Sequence, residues 1–245
     1  MAAEIDYSYY YKRWHNDSDD HQQTMNKYYS SFWPAEITPN ARGIVLDIGC
    51  GSGLLLAFLK AAGYESATGI DTSPSQIASA RSKGHDAVLV TDTTEWLTSS
   101  PLSPNVVTMF DVLEHVPPNE QMQLLRATYY AMAPGGNLVV TVPNANSALA
   151  GRWRYNDWTH CTSFTEHSLD FVLHNAGFHD IQIRPVEFSR RPRLPWILRK
   201  SVLQWWLFCG FRLFRRLEAI AELGYQQGRA IPLSLNIVAT AKKQI

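Results

Sequence analysis

Three glycines at every second position follow a short apolar run and an acidic residue. The stretch reads Leu46-Asp47-Ile48-Gly49-Cys50-Gly51-Ser52-Gly53, and a helical pattern begins at Leu54. Glycine permits a tight turn and close approach of a ligand to the backbone, and amides at the start of a helix favour a negatively charged group. The dinucleotide fingerprint needs its third glycine at position 54, not 53. The spacing therefore predicts a nucleoside cofactor and makes a dinucleotide remote.

Further acidic residues stand where short apolar runs end. Gly69-Ile70-Asp71 ends a second run, Thr91-Asp92-Thr93 follows a third, and Phe110-Asp111-Val112-Leu113-Glu114-His115-Val116 closes a fourth. Any one of these carboxylates could be a helix cap or a surface charge. Open α/β sheets bind ligands at the carboxyl ends of their strands, so the shared position favours a binding site.

These segments, together with Pro134-Gly135-Gly136 before a fifth run, resemble class I S-adenosylmethionine-dependent methyltransferases in their order. The resemblance covers about residues 40 to 185. It implies S-adenosyl-L-methionine as cofactor and a Rossmann-like α/β fold, with a doubly wound, mostly parallel seven-stranded sheet. In this family the antiparallel seventh strand lies between the fifth and the sixth.

Alternating strand and helix patterns fit that fold. Strands are predicted near 43–48, 66–70, 86–90, 105–110, 137–142, 181–188 and 233–241, and helices near 53–63, 74–83, 119–132 and 166–176. Three units follow: an N-terminal helical lid over 1–40, a methyltransferase domain over 41–188 and 231–245, and a helical insertion over 189–230. The aromatic N-terminal segment could cover the cofactor or simply pack on the sheet.

The resemblance and the strand ends assign roles in the cofactor site. Asp47 orients the glycine loop or accepts a hydrogen bond from the cofactor's ammonium group, and Asp71 accepts from both ribose hydroxyls. Asp92 and the Thr93 amide meet the adenine edge, while Phe110-Asp111 approaches the sulfonium. The predicted cofactor residues are Asp47, Gly49, Cys50, Gly51, Gly53, Asp71, Thr72, Asp92, Thr93, Phe110 and Asp111.

Methyl transfer to a hydroxyl needs alignment of donor and acceptor and removal of the acceptor's proton. Histidine suits the second task, and His115 and His160 both follow predicted strands; with Asp157 they are the predicted catalytic residues. His167, in the first turn of a helix, is expected to be a capping or core residue.

A metal ion is the less favoured alternative at this position. Asp111, Glu114 and His115 resemble the acid-x-x-Glu-His pattern of quinone O-methyltransferases, for which a divalent metal is implied. Here the first acid is Asp rather than Glu, and a Glu-His pair that opens a helix is often structural. The prediction is therefore no metal, with these three residues as the alternative ligand set.

Composition bounds the remaining possibilities. The 245 residues carry no net charge, and the three cysteines, Cys50, Cys161 and Cys209, have no paired spacing, which argues against a disulfide framework and a structural zinc site. The N-terminal residues lack the pattern of a secretory signal, and no run is long enough to span a bilayer. A cytoplasmic protein is expected.

Charge is concentrated in the insertion. Eight basic residues and no acidic one lie between Ser189 and Leu217, namely Arg190, Arg191, Arg193, Arg199, Lys200, Arg212, Arg215 and Arg216. They border an apolar, aromatic stretch over 194–211 that includes Trp205 and Trp206. The pattern favours peripheral docking of 190–216 on the anionic inner face of a membrane rather than nucleic-acid binding. Burial against a second subunit is the alternative, so an oligomer is possible.

A looser resemblance concerns the methyl acceptor. Val142-Pro143-Asn144-Ala145-Asn146, Asp157-Trp158-Thr159-His160 and Phe164-Thr165-Glu166-His167-Ser168-Leu169 are similar to a branch associated with bacterial surface-polysaccharide and glycan assembly. It implies O-methylation of a sugar hydroxyl in a lipid-linked or nucleotide-linked glycan. The alternatives are a membrane-soluble phenol or quinone precursor as acceptor, and a non-catalytic, methyltransferase-like anchoring subunit.

Overall fold

Seven strands form one sheet in the computed structural model, which describes residues 18–39, 43–187 and 200–245. The strand order is β3-β2-β1-β4-β5-β7-β6. Strands β1 to β5 pair in parallel, and β7 runs antiparallel to both of its neighbours, β5 and β6. The predicted fold is thereby confirmed. The strands are β1 Val45–Ile48, β2 Ala67–Asp71, β3 Asp86–Leu89, β4 Val106–Phe110, β5 Asn137–Pro143, β6 His179–Pro185 and β7 Asn236–Lys242.

Helices connect the strands and flank the sheet. They are α1 Asp19–Ser30, α2 Leu54–Ala61, α3 Pro74–Ser82, α4 Thr93–Ser99, α5 Pro118–Ala131, α6 Ala150–Asn156, α7 Glu166–Ala176, α8 Lys200–Leu223 and α9 Tyr225–Ala230, with a 3-10 turn at Leu113–His115. Helices α4 and α6 were not predicted, and the segment of α6 was expected to be loop. Each has only seven residues, and α6 buries none of them, so neither shows a repeating apolar pattern.

Two apolar layers cover the two faces of the sheet. Leu46 and Ile48 on β1 face one layer, whereas Val45 faces the other, because successive side chains of a strand point to opposite sides. All four residues of β1 are buried, as is typical of a parallel strand that helices cover on both faces. This burial fixes the strand ends at which the polar site residues begin.

The described part of the N-terminal segment packs against the sheet through aromatic side chains. Tyr29 and Phe32 are buried, and both rings contact Phe110 at the end of β4. The Gln22 side-chain amide donates to the Leu54 carbonyl at the start of α2. Residues 1–17 and 40–42 lie outside the described part, so the lid over 1–40 stays a prediction.

The insertion is helical where the structure describes it. Helix α9 folds back on α8, and a Cβ on Gly228 would lie 2.4 Å from the Ile220 backbone nitrogen. The Arg216 guanidinium donates to the carbonyls of Gly228 and Ile231, each at 2.7 Å. Residues 188–199, including Arg190, Arg191, Arg193 and Arg199, lie outside the described residues. Within the described ranges, no helix has the length and apolar content to cross a bilayer.

Candidate active site

The glycine loop between β1 and α2 uses backbone conformations that other residues rarely adopt. Gly49, Gly51 and Gly53 have φ angles of +73°, +53° and +85°. A Cβ on Gly49 would lie 2.3 Å from Cγ2 of Val112, and Cys50 packs with its thiol against Gly69 of β2. Cys50 can therefore offer only its backbone to a cofactor. The loop is a cradle that side chains would fill.

Asp71 lies at the carboxyl end of β2, beside this loop. Its two carboxylate oxygens accept from the Gly51 amide at 2.9 Å and the Ser73 amide at 2.8 Å. Burial raises the pKa of Asp71, and these hydrogen bonds oppose that rise. A carboxylate has about four acceptor positions, so it can also accept from a ribose diol. Thr72, the next residue, is exposed.

Asp47 is buried within the sheet instead of facing the loop's amides. Its carboxylate accepts from the Thr108 hydroxyl of β4 at 2.7 Å, and burial raises its pKa to about 7. The predicted role in orienting the glycine loop or meeting an ammonium group therefore stays a prediction. The described bond shows that Asp47 joins β1 to β4.

Asp92 caps helix α4. Its carboxylate accepts from the Glu95 amide at 3.0 Å, and Thr93 is the first residue of the helix. Asp92 is exposed and Thr93 half-buried at the carboxyl end of β3. A cap uses one acceptor position and leaves the others open, so the predicted contact with adenine stays a prediction.

Phe110 is the last residue of β4 and Asp111 follows it, and the two side chains have different surroundings. The Phe110 ring packs against Trp33 as well as against the two buried N-terminal aromatics. Asp111 has a φ of +52°, which is unusual for a residue other than glycine, and its carboxylate accepts from the Thr141 hydroxyl at 3.1 Å and the Asn236 amide at 3.2 Å. Although Asp111 is exposed to solvent, the desolvation imposed by the surrounding protein raises its pKa to about 6.

Hydrogen bonds link His115 to Thr159 and, through it, to Asp157. The Thr159 hydroxyl donates to Asp157 at 2.6 Å, so its oxygen is left to accept from Nδ1 of His115 at 2.8 Å. Burial pushes the pKa of Asp157 upward, but the hydrogen bonds from Thr159 outweigh it and the pKa lies below its usual value. Burial and the nearby His160 lower the pKa of His115 to about 4. His115 is therefore neutral at physiological pH.

His160 lies next to His115, with ring centroids 4.6 Å apart. Its Nδ1 is 2.8 Å from the Trp153 carbonyl oxygen of α6. Because a carbonyl can only accept, Nδ1 carries a hydrogen, so Nε2 is the ring nitrogen that can offer a lone pair. Of the predicted catalytic residues, the structure thus brings His115 and His160 together, with Asp157 acting on His115 through Thr159.

Glu114 is the most unusual group of the site. It is 1% exposed, and neither carboxylate oxygen has a hydrogen-bond partner among the described residues. Burial and the charge of Asp111 raise its pKa well above the usual value. One ligand atom each from Glu114, His115 and His160 lie within 4.8 Å of one another. The alternative ligand set of Asp111, Glu114 and His115 stays a prediction; this cluster shares Glu114 and His115 with it and adds His160, whereas Asp111 is bound to Thr141 and Asn236.

Several residues of the site gave no signal in the sequence. Tyr28 of α1 and Asn236 of β7 meet beside Asp111, with the Asn236 amide donating to the Tyr28 hydroxyl at 3.3 Å. They are 208 positions apart in the chain. His167 has a side chain that is 92% exposed, so its predicted capping or core role is wrong. Thr165 and Ser168 form the capping box of α7 instead.

Comparison with known proteins agrees with this geometry. A model of the family described as "Methyltransferase domain" matches residues 20–183. The chain belongs to this methyltransferase family. Membership confirms the predicted class of S-adenosylmethionine-dependent methyltransferases and their cofactor. The match ends at β6, so the insertion lies outside the family's shared part.

Solved structures share the whole fold. An S-adenosylmethionine-dependent methyltransferase from Archaeoglobus fulgidus superposes with a TM-score of 0.67 at 24% identity, covering 98% of this chain and 100% of that one. A possible histamine N-methyltransferase from Thermotoga maritima gives 0.60 at 17% identity, covering 97% and 96%. These methyltransferase neighbours support the fold and leave the acceptor open.

The curated relatives that match this chain are two ubiquinone biosynthesis O-methyltransferases from Neisseria meningitidis, of serogroups C and A. Each is 28% identical over 160 residues. Each match covers 61% of this chain, and the chain spans 61% of the relative's length. The glycan branch of the resemblance finds no counterpart in these matches.

Proposed function

We propose that this methyltransferase transfers the methyl group of S-adenosylmethionine to a hydroxyl oxygen, with His160 as the general base. The observation that carries the proposal is the hydrogen bond from Nδ1 of His160 to the Trp153 carbonyl. It fixes the tautomer, so that Nε2 can accept the acceptor's proton. Nitrogen nucleophiles bring their own lone pair and have less need of such a base.

The donor supplies an activated methyl group on a sulfonium. The chain's own residues bind and orient it: the glycine loop receives the methionine part, and Asp71 accepts from the ribose hydroxyls. In-line displacement then needs the acceptor oxygen held behind the methyl carbon. The proton leaves to Nε2 of His160, while Asp157 and Thr159 orient the neighbouring His115 ring, and burial and His160 keep its pKa low.

A membrane-soluble phenol or quinone precursor is the better supported acceptor. The two curated relatives are O-methyltransferases of ubiquinone biosynthesis. A phenol also fits the base, because its hydroxyl is more acidic than an alcohol and a neutral imidazole can deprotonate it during attack.

A sugar hydroxyl of a lipid-linked or nucleotide-linked glycan is the second candidate. Trp158, between Asp157 and Thr159, is 93% exposed, and the guanidinium of Arg154 lies 5.1 Å from the ring of the exposed Tyr155. Exposed aromatic faces stack on sugars, and arginine binds phosphate by two hydrogen bonds.

A divalent ion fits the cluster of Glu114, His115 and His160. A buried carboxylate with no hydrogen-bond partner in the described part of the chain and two imidazoles form a donor set suited to zinc, manganese or iron. When bound, such an ion would make an acceptor hydroxyl more acidic. His160 would then be a ligand instead of a base, so chelation separates the two roles.

The test uses methyl-labelled S-adenosylmethionine, the purified protein and two acceptor pools. A catechol-type phenol with a prenyl tail represents the first acceptor, and a lipid-linked oligosaccharide fraction the second. We expect label in the phenol, stable to mild acid; label that mild acid releases as a methylated sugar would favour the glycan. Cofactor binding without transfer to either pool would favour the non-catalytic anchoring subunit. Activity after chelation supports His160 as base, whereas its loss and recovery with Mn²⁺ supports the metal.

A further inference from the structure

Helix α8 presents large apolar side chains to solvent along most of its length. Trp206 is 63% exposed and Phe211 68% exposed, and the other exposed apolar residues are Leu203, Trp205, Leu207, Phe208, Leu213, Phe214 and Leu217. A group of large apolar side chains exposed together on one helix marks an interaction site. None of these side chains belongs to the active site described above.

The three arginines in the second half of this helix are bound to other groups of the protein, and the Arg212 guanidinium also lies 4.9 Å from the centroid of the Phe208 ring. Arg212 pairs with Glu187 at 3.1 Å, Arg215 pairs with Glu218 at 3.4 Å, and Arg216 donates to two carbonyls of the insertion. The Arg215 guanidinium also donates to the Asn146 carbonyl beyond β5 at 3.5 Å. These three residues therefore fasten the second half of α8 to the protein. Head-group contacts by these three residues stay a prediction.

The first half of α8 is apolar over more than half of its circumference. Residues 201–211 include no charged residue, and at 100° per residue Leu203, Trp206, Leu207, Phe208 and Phe211 span an arc of about 200° around the helix axis. A helix that packs on a second copy of itself buries one stripe and leaves its other sides in water. A lipid layer covers all sides of a helix that lies within it. This distribution favours lipid over a second subunit.

Charge in the preceding sequence favours the same partner. Residues 189–200 carry five basic residues and no acidic one, whereas the acidic residues of α8, Glu218 and Glu222, follow the apolar part. Basic residues beside an apolar helix fit an anionic head-group layer. From Leu203 to Phe211 the helix is about 12 Å long, at 1.5 Å per residue. That length is short of the roughly 30 Å of a bilayer's apolar core, so the helix would lie in one leaflet.

We propose that α8 docks this methyltransferase on an anionic lipid surface by burying Leu203, Trp206, Leu207, Phe208 and Phe211 in one leaflet. The second half of the helix, with Arg212, Arg215 and Arg216, stays outside the lipid and transmits the attachment to the catalytic domain. This inference does not rest on the identity of the acceptor. A glycan, a phenol or a soluble molecule could be methylated by a protein held in this way.

The test is cosedimentation of the full chain with vesicles of phosphatidylcholine and phosphatidylglycerol. The wild type is expected to bind. The double variant Trp206→Ser, Phe211→Ser should bind at least about tenfold more weakly, because it removes two large apolar side chains that the lipid would bury. Phe171→Ser is the matched control, since Phe171 is a phenylalanine of α7 with 64% exposure, and binding should be unchanged.

Two results would overturn the proposal. One is a wild type that stays in the supernatant with these vesicles. The other is a wild-type dimer, by light scattering, that the double variant converts to a monomer; a second copy would then cover α8. Cofactor affinity measured on the same variants shows whether they are folded. If the double variant keeps that affinity and loses only the vesicles, the role of α8 is separated from the methyl-transfer site.

Discussion

The residues proposed to bind the methyl donor, here the donor side, and those proposed to meet the acceptor, here the acceptor side, are arranged in different ways. The donor side consists of strand ends and the glycine loop, where each polar group is already bound by a near neighbour: Asp71 accepts from Gly51 and Ser73. The acceptor side consists of side chains from two separate segments, the turn after β4 and the loop after α6. There the two buried carboxylate oxygens of Glu114 have no hydrogen-bond partner among the residues that the structure describes.

We attribute this difference to the different ligands that the two sides would bind. The donor is a single molecule, so backbone amides and one carboxylate can be fixed for it in advance. Among the described residues, the proposed acceptor side keeps a carboxylate without a hydrogen-bond partner and Nε2 of His160, both of which an acceptor or an ion could satisfy. Variants on the donor side should therefore change cofactor affinity, and variants on the acceptor side should change turnover or stability with cofactor affinity retained.

The largest effect is expected from His160→Ala. Loss of a general base typically lowers turnover by about 10²- to 10⁴-fold. Cofactor affinity, measured by calorimetry, should stay within about twofold because the ring is bound to Trp153 and lies beside His115. His167→Ala is the matched control, since that histidine is exposed. Equal losses in turnover and cofactor affinity would remove His160 as the base and merge the two sides of the cleft.

Asp71→Ala should produce the largest change on the donor side. It removes the acceptor of the Gly51 amide and the proposed acceptor of the ribose hydroxyls, and the loss of one net charge-assisted hydrogen bond costs about 1.5 to 3 kcal/mol. We expect cofactor affinity to fall by about 10- to 100-fold, with the helical circular dichroism of the wild type retained. Asp170→Ala, at an exposed position of α7, should bind as the wild type does. Unchanged affinity in Asp71→Ala would contradict the assignment.

Glu114→Gln should change the pH dependence of stability. A buried carboxyl whose pKa is raised on folding costs nothing while both states are protonated, and it destabilises the fold as pH rises above the unfolded value of 4.5. The wild type should therefore lose stability between about pH 5 and pH 8 by more than the variant does. Because a carboxamide does not titrate, the variant should lack this part of the pH dependence.

Urea unfolding at several pH values measures this difference. Asp47 and Asp111 also have raised pKa values and contribute to the wild-type slope, so only the wild-type minus variant difference is diagnostic. Glu120→Gln, an exposed position at the start of α5, provides the control. If Mn²⁺ stabilises the wild type at pH 8 and leaves Glu114→Gln unchanged, the cluster binds the ion. Parallel slopes in wild type and variant would mean that folding does not raise the pKa of Glu114.

The donor side could be predicted from the sequence because its residues are adjacent to strand ends. Glycine spacing at 49, 51 and 53 and the acid after Ile70 mark the site directly, and the sheet order follows from the family. The acceptor side depends on which segments the fold brings together. Asp111 and Glu114 are three positions apart, yet Asp111 is held by Thr141 and Asn236, and His160 joins Glu114 from 46 positions away. No local pattern encodes that choice.

The smallest effect is expected at Thr159, which positions His115 without being placed against either substrate. Thr159→Val keeps the shape of the side chain and removes the hydroxyl that links Asp157 to Nδ1 of His115. One net hydrogen bond is worth about 1 kcal/mol, so kcat/KM should fall by about fivefold with cofactor affinity unchanged. Thr159→Ser should restore the activity, because it returns the hydroxyl, and Thr98→Val on exposed α4 should have no effect. A Ser variant as impaired as Val would show that the methyl group, and hence packing, matters at this position instead of the hydrogen bonds. Full activity in Thr159→Val would mean that His160 acts without the neighbouring imidazole, and the acceptor side would then be reduced to one histidine and a buried carboxylate.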